Sequence, residues 1–197
     1  MSLFPVSIKL KNTKCLVIGG GSVAERKVKS LLNARAEVTV ISPDLSDHLS
    51  ALYYNNRIKW INREYRKNDI KDHFIVIAAT NNKEVNNIIY HEAKEKRVLI
   101  NCADDPDNCN FFMPAIIQRG DMQFTISSEG KVPYLTKELK EYFEKIFYTD
   151  LKNDIDDLYK KRKKVIEECK GDQDLKKKKF EEILKPEVDN IINKLIY

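Results

Sequence analysis

The chain has 197 residues, of which 42% are hydrophobic and 33% charged, with a net charge of +5 at pH 7. This apolar share excludes a wholly disordered chain, and no apolar run approaches the roughly 18–20 residues that cross a bilayer. The first residues lack a basic segment followed by a long apolar one, so we expect no secretory signal and a cytoplasmic location. The four cysteines form neither a CxxC motif nor a dense pattern, which predicts reduced thiols.

Strands and helices alternate over the first 112 residues. Helical spacing of apolar residues is found at 22–33, 44–54 and 83–96. Short apolar runs typical of buried strands are found at 14–18, 37–41, 57–61, 74–79 and 98–100. Uniformly apolar strands that alternate with helices predict a parallel sheet covered on both faces.

The pattern changes after residue 112. Segments 113–119 and 122–127 flank Gly120-Asp121 and predict a hairpin, and a helical apolar face follows over 132–147. From residue 151 the chain is highly charged, with two helical stretches separated by Gly171-Asp172. The sequence therefore predicts an α/β chain in three parts: a Rossmann-like domain (1–112), a small α+β segment (113–149) and a helical domain (150–197).

Half of the six glycines stand together in the turn between the first strand and the first helix. Gly19, Gly21 and Ala24 fit the pattern G-x-G-x-x-A. In that pattern the first glycine makes the tight turn, the second lets the backbone approach a pyrophosphate, and the alanine permits close helix packing. The turn therefore predicts dinucleotide binding, with a purely structural glycine turn as the alternative.

The end of the second strand bears on which dinucleotide binds. An acid about 20 positions after the glycines usually accepts a hydrogen bond from the ribose 2′-hydroxyl. Asp44 follows Pro43 there, and no arginine lies beside it to hold a 2′-phosphate, which favours NAD over NADP. Thr80 and Asn81 follow the fourth strand at the same sheet edge and are further cofactor-lining candidates, although a plain strand-end turn would also explain them.

An acidic cluster follows the last strand, at residues 101–106. A substrate at this sheet edge would face the nicotinamide, and a carboxylate there could accept a proton as a hydride leaves. The residues alone favour an ordinary polar turn over a catalytic acid.

Four segments in order resemble a known family: FPVSIKLKNTKCLVIGGGSVAERKV, FIVIAATNN, INCADDPDNCNFFMPAII and TISSEGKVPYLTKELKE. They are similar to the precorrin-2 dehydrogenases of siroheme biosynthesis, over about residues 3–147. The resemblance implies a homodimeric enzyme that oxidises precorrin-2 to sirohydrochlorin with NAD. Its dimerisation region would correspond to about residues 113–147, and some members of the family also insert iron.

The resemblance also implies roles for particular residues. Asp104 would be the general base, while Ser22, Val23, Pro43 and Asp44 would line the cofactor with the glycines. The family's Ser-Ser-x-Gly turn matches Ser127 to Gly130, but Glu129 stands where members typically have a second glycine.

The substrate implied by the resemblance carries eight carboxylates, so a basic rim is expected around its pocket. The candidates for contacts with the substrate are Asn101, Arg119, Ser127, Ser128, Lys131 and Lys137. Each cation could equally be a solvated surface charge.

Other functions remain open from the sequence. Iron insertion is one alternative, although the three histidines are remote in sequence from Asp104 and we predict no metal ligands. A second is a non-catalytic NAD(H)-sensing module. A third is nucleic-acid binding, suggested by a pI near 8.8, although the interspersed acids speak against it. We therefore expect neither a nucleic-acid nor a membrane partner, and 197 residues leave no room for the fused methyltransferase of some relatives.

Overall fold

A computed structural model describes residues 3–103, 105–147 and 150–196. The chain forms two compact units, Met1–Phe112 and Met113–Tyr197. The second unit contains both the segment 113–149 and the domain 150–197 of the sequence analysis.

The first unit is built on a five-stranded parallel sheet. The strands lie in the order β3-β2-β1-β4-β5. They are β1 (Lys14–Ile18), β2 (Glu37–Ser42), β3 (Lys59–Asn62), β4 (Ile75–Ala78) and β5 (Leu99–Cys102). The connecting helices are α1 (Ser22–Asn33), α2 (Asp47–Tyr54) and α3 (Lys83–Glu95). This is the predicted Rossmann-like α/β class, and the order reverses direction between β1 and β4.

The core of this unit lies around the three central strands. All of β4 and the last four residues of β1 are buried. Helix α1 packs on the sheet through Ala24, Val28 and Leu31. The apolar strands were predicted to be buried throughout, but most residues of β3 are exposed. This strand lies at the edge of the sheet, where it has a neighbouring strand on one side only.

Two boundaries differ from the sequence expectation. Helix α2 begins at Asp47 and not at 44, since Ser46 caps it by accepting a hydrogen bond from the Leu49 amide at 3.3 Å. Strand β5 extends to Cys102, because Asn101 and Cys102 pair with Ile77 and Ala78 of β4. A polar residue, Asn101, therefore lies inside a strand.

The second unit begins with the predicted hairpin, β6 (Ala115–Arg119) and β7 (Met122–Ile126). Helix α4 (Pro133–Ile146) follows it. The Phe124 and Phe147 rings stack with centroids 4.8 Å apart. Gly120 turns the hairpin with φ +56°, where a side chain would meet the backbone of Lys152.

Three further helices complete this unit: α5 (Lys152–Glu168), α6 (Gln173–Lys179) and α7 (Lys185–Ile196). A π-helical turn, Phe180–Leu184, joins α6 to α7. Buried apolar side chains are sparse here: those among the described residues are Ile117, Leu151, Val165, Cys169 and Leu195. Within the described ranges, no helix combines the length and apolar character that a bilayer crossing requires. The cytoplasmic location stays a prediction.

Candidate functional site

The carboxyl ends of four strands meet at one edge of the first unit. Ile18 at the end of β1 is paired with Ile41 on one side and Ala78 on the other, and Ala78 is paired with Cys102. The glycine turn and the loops after β2, β4 and β5 therefore leave the sheet side by side. Ligands of open parallel sheets bind at this edge, where the strand order reverses.

The three glycines have different surroundings. A Cβ at Gly19, whose φ is +121°, would meet the carbonyl of Ala79, and a Cβ at Gly20 would meet the Asp44 carbonyl and Ser42 Oγ. A Cβ at Gly21 would meet nothing within 4 Å. The chain's own packing thus requires the first two glycines, whereas the third borders open space that a ligand can enter.

Helix α1 presents its N-terminus to that space. Gly21 is its N-cap residue and supplies no side-chain cap, and the first intrahelical bond runs from the Glu25 amide to the Gly21 carbonyl at 3.0 Å. The amides of Ser22 and Val23 have no intrahelical acceptor, as in any first helical turn. Ser22 is exposed, and Ala24 is fully buried against the sheet. Free amides, a positive helix end and room at Gly21 fit a diphosphate.

The end of β2 approaches the same turn. The Ser46 amide donates to the Gly20 carbonyl at 2.8 Å, and Ser42 Oγ donates to the Asp44 carbonyl. Trp60 Nε1 donates to the Ser42 carbonyl at 3.0 Å. Pro43 and Asp44 are exposed. Their backbone is therefore held against the glycine turn while the Asp44 side chain is accessible to a ligand.

A buried asparagine organises the end of β4. Thr80 Oγ1 donates to Asn86 Oδ1 at 2.7 Å, and Asn86 Nδ2 donates back to the Thr80 carbonyl at 3.0 Å. Asn82 caps α3 by accepting from the Glu84 and Val85 amides, and Asn81 is exposed. Asn86 is not among the predicted site residues, although an amide on the apolar face of a helix is a signal that could have revealed it.

A second buried asparagine organises the end of β5. Asn101 Oδ1 accepts from Lys27 Nζ at 3.1 Å, and its Nδ2 donates to the Phe111 carbonyl at 3.1 Å. Lys27 belongs to α1 and was not predicted as a site residue. Asp104, the predicted base, lies outside the described residues. On one side of it, the Ala103 amide donates to the Ala78 carbonyl at 2.8 Å, which fixes the start of this loop on the sheet edge.

The thiol of Cys109 joins the two ends of the same loop. Cys109 Sγ accepts from the Cys102 amide at 3.2 Å and donates to the Asp105 carbonyl at 3.2 Å. Burial raises the pKa of Cys102 to about 12, and burial also raises the pKa of Cys109. Both thiols are therefore protonated at neutral pH and act as neutral packing and hydrogen-bonding groups.

The remaining predicted substrate residues belong to the second unit. Arg119 donates to the Glu144 carbonyl at 2.8 Å and to the Phe147 carbonyl, at the end of α4. Lys131 pairs with Glu129 at 3.2 Å. Both cations thus have partners within their own unit.

The other three candidates of this unit are likewise engaged locally. Ser127 Oγ accepts from the Glu129 amide at 3.2 Å and Ser128 Oγ from the Val132 amide at 3.0 Å. Lys137 pairs with Glu141 at 3.5 Å, both largely exposed. Substrate contact for these residues stays a prediction. Among the described residues, no group of three or more His, Cys, Asp or Glu side chains could hold a metal ion.

Comparisons with known proteins bear on this site. Residues 6–115 match a family described as "Putative NAD(P)-binding". The precorrin-2 dehydrogenase of Bacillus subtilis is 35% identical over 162 residues, which cover 82% of this chain and 99% of that protein. The chain belongs to the precorrin-2 dehydrogenase family. Its first unit is accordingly a domain that binds a nicotinamide cofactor.

Two other comparisons concern length and fold. Siroheme synthase 3 of Aeromonas hydrophila is 40% identical over 144 residues, which cover 73% of this chain and 31% of that protein. The chain thus spans about a third of the length of the siroheme synthases it matches. A solved structure of SirC, a precorrin-2 dehydrogenase, superposes with a TM-score of 0.71 at 24% identity, covering 93% of this chain and 100% of that one. That likeness supports the fold.

Proposed function

We propose that the chain catalyses the NAD-dependent dehydrogenation of precorrin-2 to sirohydrochlorin. The observation that carries this proposal is the open space at Gly21 in front of the α1 amides, beside the loop after β5 that follows Asn101. It is supported by a precorrin-2 dehydrogenase that this chain matches over 99% of that protein's length.

The proposed roles follow from the positions at the sheet edge. The amides of Ser22 and Val23 bind the diphosphate, and Thr80 lines the cofactor beside Asn81. A bound nicotinamide supplies a hydride acceptor at C4. Asp104 accepts the proton, so that one hydride and one proton leave precorrin-2 and the products are sirohydrochlorin, NADH and a protonated carboxyl group.

The decisive test is Asp104→Ala, assayed by NADH formation on precorrin-2. We expect turnover to fall by about 10²–10⁴-fold, the usual contribution of a general base, while NAD binding persists. Asp107→Ala is the matched control, because Asp107 is an exposed acid in the same loop. An Asp104→Ala variant with wild-type turnover would exclude Asp104 as the base, whereas a wild type that forms no NADH from precorrin-2 would leave the NAD(H)-sensing alternative.

We also infer a preference for NAD over NADP. The supporting observation is the exposed Asp44, whose backbone is fixed against Gly20. Its carboxylate can accept from a ribose 2′-hydroxyl and would repel a 2′-phosphate. Asp44→Asn should lower the ratio of the dissociation constant for NADP to that for NAD, both measured by calorimetry. Tighter binding of NADP than of NAD by the wild type would reject this preference.

A homodimer is proposed from the second unit. Helix α4 has no buried residue, and Tyr134, Leu135 and Tyr142 are 71%, 50% and 60% exposed. Apolar side chains at this exposure are typical of an interface. Leu135→Glu should convert the dimer to a monomer in light scattering, whereas Lys137→Glu on the same helix should not. A monomeric wild type would reject the proposal.

Iron insertion stays an alternative that no contact of the described residues favours. Metallation of sirohydrochlorin by the purified protein, measured separately from NADH formation, would decide whether the chain has both activities.

A further inference from the structure

The side chain of Asn101 is 6% exposed and has both ends of its amide engaged. Oδ1 accepts from Lys27 Nζ at 3.1 Å, and Nδ2 donates to the Phe111 carbonyl at 3.1 Å. The reverse orientation would place the amide nitrogen against an ammonium and the amide oxygen against a carbonyl. The Lys27 ammonium and the Phe111 carbonyl therefore select the same one of the two orientations that an asparagine can adopt.

The loop after β5 is closed by bonds between its two ends. The Ile100 amide donates to Asn110 Oδ1 at 2.8 Å, and the Asn110 amide donates to the Ile100 carbonyl at 3.0 Å. The bond from the Cys102 amide to Cys109 Sγ adds a third tie. Asn101 contributes a further tie, to Phe111, and Lys27 of helix α1 bonds to the side chain that makes it.

Lys27 also connects two functions of the site. It belongs to α1, the helix whose N-terminus is proposed to bind the diphosphate. Burial raises the pKa of the Cys109 thiol, and the Lys27 ammonium acts in the opposite direction without reversing that shift. The lysine thus brings positive charge to the base-bearing loop from the cofactor-binding helix.

We propose that Lys27 is a positioning residue for the dehydrogenation: its ammonium orients the Asn101 amide and thereby fixes the loop that carries the base. This proposal rests on the proposed function. Because Lys27 acts through Asn101 in this proposal, its loss should reduce turnover and leave cofactor affinity unchanged.

The first experiment measures kcat and KM for NAD in Lys27→Met, with Lys29→Met as the matched control on an exposed position of α1. Loss of a charged hydrogen bond predicts a decrease in kcat of about 10- to 100-fold in Lys27→Met, and KM within about twofold of wild type. Lys27→Arg keeps the charge and donors and should recover most of the activity. A kcat for Lys27→Met equal to that of Lys29→Met would overturn the proposal.

A double-mutant cycle tests whether Lys27 acts through Asn101. Asn101→Leu removes the amide at similar volume, so adding Lys27→Met to it should cost little more. If the two losses of kcat multiply instead, the lysine acts independently of Asn101 and the proposal is wrong.

Hydrogen exchange gives a readout that needs no substrate. Peptides covering residues 100–112 should exchange about tenfold faster in Lys27→Met than in wild type, with Lys27→Arg and Lys29→Met unchanged. Unaltered exchange in Lys27→Met would overturn the positioning role. If the wild type forms no NADH from precorrin-2, the proposed function fails, and the exchange comparison still decides the role of Lys27.

Discussion

The two units of this chain obtain their order in different ways. In the first, helix α3 and strand β5 carry buried polar groups that are bonded at fixed positions: Asn86, Glu92 and Asn101 are all less than 9% exposed. In the second, buried apolar side chains are few and many charges pair on the surface, as Lys137 does with Glu141. Buried polar bonds specify geometry, whereas exposed ion pairs contribute little to stability. The first unit is therefore the one suited to hold a reactive arrangement.

The largest effect is expected at the glycine turn. Gly20→Ala places a Cβ against the Asp44 carbonyl, so the backbone must move. We expect the free energy of unfolding to fall by about 3 kcal/mol. Gly21→Ala has room and should cost less than about 1 kcal/mol, the loss of a good N-cap residue, but its Cβ occupies the space in front of the α1 amides. Urea unfolding measures the first effect and NAD titration the second. Equal stability of the two variants would contradict the distinction between the glycines.

A smaller effect is expected at Glu92, which accepts from Lys96 Nζ at 2.8 Å, Tyr65 Oη at 2.5 Å and the Asn68 amide at 3.0 Å. Glu92→Gln removes the charge that these donors require and should cost about 2 kcal/mol in urea unfolding at pH 7. Glu95→Gln, at an exposed position of the same helix, should cost almost nothing.

The same residue predicts a pH dependence. Burial alone would raise the pKa of Glu92, but the hydrogen bonds from Lys96, Tyr65 and Asn68 outweigh it, and the net pKa lies below the ordinary 4.5. Its contribution is therefore complete above the ordinary pKa and is lost as pH falls through the lower, folded value. The wild type should lose more unfolding free energy than Glu92→Gln between about pH 5 and pH 3. If the unfolding free energies of the wild type and of Glu92→Gln changed with pH in parallel, Glu92 would not be the titrating group.

In the second unit, Glu129 should give a small effect of opposite sign. Its φ of +54° lies in the left-handed region, where glycine has no steric penalty. Glu129→Gly should raise the free energy of unfolding by about 0.5 kcal/mol, since relief of backbone strain exceeds the entropy cost. Glu129→Ala keeps the strain and should be less stable than Glu129→Gly. The reverse order in thermal unfolding would contradict this account.

The smallest effect is expected at Lys137. Its pair with Glu141 is exposed on both sides, so Lys137→Gln should change stability by less than about 0.5 kcal/mol. An increase in KM for precorrin-2 without a stability change would support the predicted basic rim. A large loss of stability would remove the contrast between the units.

The sequence predicted most of the first unit, because hydrophobic periodicity and the glycine pattern are local signals. It located all five strands and the hairpin, and the family resemblance identified the cofactor class. It did not reveal Lys27, since the importance of this residue comes from a partner far along the chain. Asn86 was also missed, although its partner Thr80 is only six positions away. Lys27 bonds to Asn101, which is 74 positions away. Nor did it reveal that Gly20, the middle glycine, is the one packed against the β2 end, because that contact depends on how two loops meet.

The π-helical turn Phe180–Leu184 has a consequence for how the C-terminal helices can vary. Such a turn accommodates one residue more than an α-helix of the same rise, which rotates everything beyond it by about 100°. Deleting one residue there would let the backbone continue as a regular α-helix while turning the apolar stripe of α7 away from its present neighbours. Relatives that lack the extra residue should therefore distribute their apolar positions differently over the helix that corresponds to α7, even where the length of that helix is conserved.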